Sequence, residues 1–226
     1  MLTSLSHSAW RRVLPFAAFM ALLSLRGHLQ TFTSLDFDPR WVYLVQVSVP
    51  AALLAWWWRD YGELHRANEP TWPELLLSVA VGLVVFALWI HLDAPWMTLM
   101  PPSASFVPED PQGRLLWPLI VVRWLGATLL VPLMEELFWR SFLMRWVQDA
   151  NFAAVPPQRV GLRAIVIATF VFTLAHTLWL AAVVAGLAYA WLYVRTGRLW
   201  CAVVAHAVTN GALGVWVVVT RQWAFW

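Results

Sequence analysis

The stretch Leu-Leu-Val-Pro-Leu-Met-Glu-Glu-Leu-Phe-Trp-Arg, residues 129–140, decides how this chain is read. It is apolar enough to enter a bilayer, yet it carries two adjacent carboxylates, Glu135 and Glu136. One such group at the centre of a membrane helix costs roughly 2.5–3.5 kcal/mol on insertion-based scales. A chain that keeps two of them there uses them.

Composition supports the membrane setting. The 226 residues are 61% hydrophobic and 12% charged, with a mean hydropathy of +0.65. Soluble domains are about half apolar and about a quarter charged. Apolar runs fall at 12–31, 41–58, 74–92, 115–139, 163–178, 179–194 and 199–220. A helical span needs about 20 such residues. The pattern predicts an all-α polytopic membrane bundle of about seven transmembrane helices. Six to eight is the range, because the first, fifth and sixth runs are short or blurred. His176, Thr177 and Trp179 mark a break inside 163–194. Residues 1–114 read as N-terminal spans with an extracytoplasmic loop, and 115–226 as the bundle that carries the chemistry. Many of the 18 tryptophans flank the apolar runs, as interfacial anchors do, and none is assigned a ligand.

Arginine sets the orientation. All 15 basic residues are Arg. With a cytoplasmic N-terminus and seven spans, inside segments hold Arg11, Arg12, Arg59, Arg66, Arg140, Arg145, Arg159, Arg163, Arg195 and Arg198. Outside segments hold Arg26, Arg40, Arg114 and Arg221. Ten against four satisfies the positive-inside rule. The +3 net charge therefore reports topology, and no nucleic-acid surface is implied. The Pro-rich loop 93–114 falls outside as a cap. Arg11-Arg12 followed by Val13–Leu25 resembles a signal peptide without a small-x-small cleavage site, which reads as an uncleaved first span or signal anchor. The expected location is a bacterial inner membrane. Cys201 is the only cysteine, which excludes an intrachain disulfide and a CxxC site. Arg123, about 12 Å from the outer end of span four, is expected to snorkel outward in a structural role.

Helix geometry separates the two glutamates. Glu136 and Arg140 are four residues apart and share a face, so they can pair. Glu135 is rotated by about 100° from Glu136 and lacks that partner. Pro132 can kink the helix and help open a cavity. Two more polar groups lie in later spans: Phe172-Thr-Leu-Ala-His176, and His206-Ala-Val-Thr-Asn210. His91 is read as interfacial. Any single intramembrane histidine is more often a hydrogen-bonded packing residue. Glu, Glu, Arg, His, His and Asn in three late helices point instead to one interior site. Such a set offers a carboxylate that takes a proton from water, with His and Asn donating to an oxyanion. Alternatively, Glu135, His176 and His206 would hold a zinc ion. Either arrangement suits amide hydrolysis. HExxH and GxSxG motifs are absent, and Ser141 has no base at an obvious spacing.

In their order and spacing, Glu-Glu-x-x-x-Arg (135–140), Phe-x-x-x-His (172–176) and His-x-x-x-Asn (206–210) resemble the CAAX-type intramembrane endopeptidases. This is the Rce1-like group, which also includes bacteriocin-processing and immunity proteins. The Trp-rich N-terminal half resembles the exosortase-associated bacterial subgroup. The resemblance implies that Glu135 activates water, Glu136 is held by Arg140, and His176 positions the water or a metal. His206 and Asn210 would stabilise the oxyanion. The family is described with both metal-dependent and metal-free mechanisms, so zinc stays open. The implied partners are the bilayer and a membrane-associated or lipidated peptide. Two other readings compete: a non-catalytic scaffold or immunity-type protein of the same fold, and a proton-coupled transporter. The latter would carry inverted repeats, and none is visible. One depth does not fit. His176 lies about 20 Å along span five from Arg163, whereas Glu135 and His206 lie nearer the cytoplasm. An interfacial segment over 150–165, with span five starting deeper, would reconcile them.

Overall fold

A computed structural model describes residues 6–29, 37–100 and 106–226. Seven helices organise it: α1 (His7–Leu29), α2 (Val42–Trp56), α3 (Trp72–Trp89), α4 (Trp117–Gln148), α5 (Leu162–Leu174), α6 (Trp179–Thr196) and α7 (Leu199–Thr220). Among the described residues there is no strand, only an isolated bridge between Glu109 and Leu115. The chain is an integral membrane helix bundle. Helices α3, α4, α6 and α7 are long and apolar enough to cross a membrane. At 15 and 13 residues, α2 and α5 are shorter than a straight span. Large apolar side chains such as Leu76, Leu129, Phe170 and Val219 point outward, as a lipid-facing surface requires.

Local chemistry explains the boundaries. Thr71 and Glu74 form a reciprocal capping box at the start of α3, with Pro73 inside the first turn. Gly197 ends α6 at φ +71°, a left-handed conformation that favours glycine, and so folds α7 straight back onto it. Residues 149–161 hold only two short 3₁₀ turns, Phe152–Ala154 and Pro157–Arg159. The deeper start expected for span five is not found, since α5 begins at Leu162; the depth conflict is resolved by α4, which runs on to Gln148 instead of ending near 139. His176 lies 14 residues beyond Leu162 and Glu135 lies 13 before Gln148, each about 20 Å of helix. The expected break between spans five and six falls at Ala175–Leu178, so His176 sits on non-helical backbone.

Helix α4 is wound irregularly. Its 32 residues contain two π-helical stretches, Gly126–Leu130 and Leu137–Met144, with a normal α turn at Val131–Glu136 between them. The main core packs Met134, Leu137 and Trp139 of α4 against Ala182, Ala185 and Tyr189 of α6 and Ala202 and Ala205 of α7. The alanines let these backbones approach closely. Gly82 of α3 does the same, since a Cβ there would sit 2.4 Å from the Ala205 carbonyl oxygen.

Each end of the bundle is tied by polar contacts. At one end Arg12 pairs with Glu63 at 2.7 Å, Arg198 pairs with Glu74 at 3.2 Å, and Arg11 pairs with Asp60 at 2.9 Å. Burial pushes the Glu63 carboxyl up, but the Arg12 guanidinium and the Ser141 hydroxyl outweigh that and hold it below the ordinary range. At the other end Arg40 donates to the Val107 and Glu109 carbonyls, and Arg221 pairs with Glu109. The 93–114 loop, so far as it is described, is a structured cap. Leu99 N–H donates to Thr177 O, and the Trp179 indole donates to Trp96 O.

Candidate active site

Glu135, His176, His206 and Asn210 all line one cavity of about 240 Å³. That volume holds several waters, since one needs only about 10–15 Å³ of such space. The four residues come from α4, the α5–α6 break and α7. The antiparallel return of α6 and α7 beside α4 brings them together.

Glu136 is the fixed carboxylate. It is fully buried, and its Oε1 accepts from Arg140 Nη1 at 3.1 Å and from His206 Nδ1 at 2.9 Å. Its Oε2 lies 3.1 Å from Arg140 Nε, a charge contact without hydrogen-bond geometry. Arg140 is boxed in turn. Its guanidinium carbon lies 4.7 Å from the Phe172 ring and 5.4 Å from the Tyr189 ring, and Nη2 donates to Gly186 O at 3.4 Å. Arginine suits such desolvated, stacked surroundings. The Glu136–Arg140 pairing expected from helix spacing is present. Its bridge to His206, seventy residues on, lay beyond that reasoning.

Glu135 points elsewhere, as a 100° rotation requires. Its Oε2 accepts a hydrogen bond from the Trp139 indole at 3.2 Å, and the residue borders the cavity. His176 Nδ1 lies 2.8 Å from Phe172 O. A carbonyl only accepts, so Nδ1 carries the hydrogen and Nε2 is left with a lone pair. Asn210 donates one amide hydrogen to Ala127 O at 2.9 Å. Ala127 belongs to the first π stretch, where helical pairing shifts and carbonyls lose their usual partners. Asn210 therefore caps that defect and keeps a second N–H.

Three contributors lie outside the sequence motifs. Trp139 stands four residues after Glu135, a spacing that places both on one helix face, but a tryptophan in an apolar run reads first as an anchor. Tyr189 stacks on His206 at 5.0 Å, and its hydroxyl donates to Thr209 Oγ1 at 2.8 Å. Thr209 in turn bonds the Gly82 carbonyl at 2.8 Å. No sequence spacing links these three residues. His91, bonded to Ala87 O at the end of α3, is exposed and outside the site, as expected. Ser141 is tied to Glu63, Arg12 and Arg145, with no histidine among its hydrogen-bond partners, which does not suit a nucleophile.

The zinc arrangement fits poorly. Among the described residues no group of three His, Cys, Asp or Glu side chains is placed to hold a metal ion. Glu135, His176 and His206 share a cavity without converging on a common point.

No curated protein and no solved structure matches the chain. Residues 117–212 span α4 to just past Asn210 on α7, and so contain every motif residue described above. This motif-bearing region matches the family model of the type II CAAX prenyl endopeptidases, Rce1-like.

Proposed function

We propose that the protein is an intramembrane endopeptidase that hydrolyses a peptide bond of a membrane-associated or lipidated substrate with a glutamate-activated water. One observation carries this reading: Glu135, His176, His206 and Asn210 line a single cavity large enough for water. The match of that region to a peptidase family supports it. Glu135 takes a proton from the attacking water as the water oxygen bonds the carbonyl carbon, and returns it to the amine nitrogen as the C–N bond breaks. His176, with hydrogen on Nδ1, accepts the water's other hydrogen at Nε2 and so orients it. Asn210 donates its second N–H to the tetrahedral oxyanion. His206 borders the same oxyanion, with its Nδ1 held 2.9 Å from Glu136 Oε1. Glu136 and Arg140 hold His206 in place. Arginine distribution supports a cytoplasmic N-terminus.

The test compares purified wild-type protein with Glu135→Gln on a membrane-protein extract, reading new peptide termini by mass spectrometry. Loss of a general base is expected to slow cleavage by about 10²-fold or more. Equal termini at equal rates from both proteins would sink the proposal.

A further inference from the structure

Arg123 does not reach outward to water, as its position in span four suggested. Its guanidinium carbon lies 4.7 Å from the Tyr43 ring and 5.2 Å from Phe106. At the other end of the bundle two arginines do reach the surface. Arg163 stands in the first turn of α5 and Arg195 in the last turn of α6, and both are exposed. The two helices run antiparallel across the break at Ala175–Leu178, so these ends lie together. Among the described residues no carboxylate pairs with either arginine.

Between the two helices runs an open groove of about 550 Å³, lined by Ile165, Leu187, Trp191, Val194 and Arg195. Helix periodicity places its rims. On α5, Arg163, Val166 and Phe170 recur at helical spacing and are all exposed; on α6, Leu187, Trp191 and Arg195 do the same. Each outward stripe is therefore apolar along its length and ends in a cation. The Arg195 guanidinium carbon lies 5.7 Å from the Trp191 ring, which holds the charge at the end of the groove.

We infer that the α5–α6 groove binds one anionic phospholipid, with an acyl chain along Ile165, Leu187 and Val194 and the phosphate between Arg163 and Arg195. Charge complementarity carries the assignment. The planar guanidinium fork takes two phosphate oxygens, and by the positive-inside rule this arginine-rich end faces the leaflet that carries anionic lipid. A partner helix fits less well, because helix contacts in membranes favour small residues and none lines this groove. No residue of the groove lines the cavity of Glu135, so the inference stands apart from the peptidase reading.

The experiment offers the delipidated full-length protein equal amounts of dioleoyl phosphatidylglycerol and dioleoyl phosphatidylcholine in mild detergent, and reads bound lipid by native mass spectrometry. One arginine at an anionic headgroup favours it by about fivefold, so two should favour phosphatidylglycerol by about thirtyfold. Arg163→Gln or Arg195→Gln should each cut the ratio about fivefold, and the double variant should bring it near one. Arg66→Gln, exposed at the same end but off the groove, should leave it unchanged. Leu187→Trp, which fills the groove, should lower occupancy by both lipids. A ratio near one on the starting protein overturns the inference. So does a loss in Arg66→Gln equal to that in Arg163→Gln, which would mean diffuse surface charge, and so does unchanged occupancy in Leu187→Trp. A second copy of the chain retained in place of lipid overturns it in favour of a protein occupant. Cleavage plays no part in the readout, so failure here leaves the peptidase reading untouched.

Discussion

Glu136→Gln removes the counter-charge of Arg140, which is 3% exposed. Hydrogen bonds alone average only about 0.6 kcal/mol between membrane helices. Breaking a buried ion pair by removing one partner costs about 3–5 kcal/mol, because the remaining charge stays buried. The two scales are far enough apart to tell whether charge or hydrogen bonding alone governs this pair within α4. Glu136→Gln and Arg140→Gln should each destabilise by about 3–5 kcal/mol. The double variant leaves two neutral amides that can still bond one another, and should fall short of the sum by about 2–3 kcal/mol. Unfolding titrations with SDS in mixed micelles, followed by tryptophan fluorescence, complete the cycle. Single losses below about 1 kcal/mol, or a double variant additive within about 0.5 kcal/mol, would refute the charge-pair account.

Glu63 contributes a pH dependence of known sign. Its carboxyl is held below the ordinary value of 4.5, so it adds stability above that value and loses it as pH falls further. Glu63→Gln should lower the thermal midpoint at pH 7 and flatten its fall between about pH 5 and pH 3. Equal slopes in the two proteins would contradict this. Gly82→Ala drives a Cβ to 2.4 Å from a backbone oxygen that cannot rotate away. It should cost about 1–3 kcal/mol in the same SDS titration, and a neutral result would mean that α3 shifts freely on α7.

The helices were legible because lipid contact imposes long apolar runs. The predicted runs overlap all seven observed helices, and the break at His176 showed as polar residues in an apolar stretch. The Glu136–Arg140 pair was legible for a similar reason, since four residues make one turn. What lies between helices was not. His206 turns one nitrogen to Glu136 rather than to Glu135, a choice set by the rotation of α7 on α4 that no local spacing encodes. Arg123 was misjudged because snorkelling assumes a path to water, whereas Phe106 and Tyr43 stand in that path. The π winding itself is not legible either, although Pro132, just after the first π stretch, marks this helix as irregular. The residue-by-residue catalytic roles are proposals that rest on these placements.

That winding has a consequence for tolerance to change. Each residue of an α-helix advances the side-chain direction by about 100°, and a π stretch accommodates extra chain without lengthening the pairing ladder in the usual way. Gly126–Leu130 precedes Glu135. The five residues of that π stretch turn the chain about as far as four residues of α winding, so removing one there lets regular winding resume and leaves both carboxylates aimed much as before. Removing one residue from the α-wound part before Glu135, Val131–Met134, would instead rotate both by about 100° and take the pair out of the cavity with every side chain of the motif intact. The π stretch is thus slack in the chain, and a one-residue deletion is mild within it and disruptive one turn later.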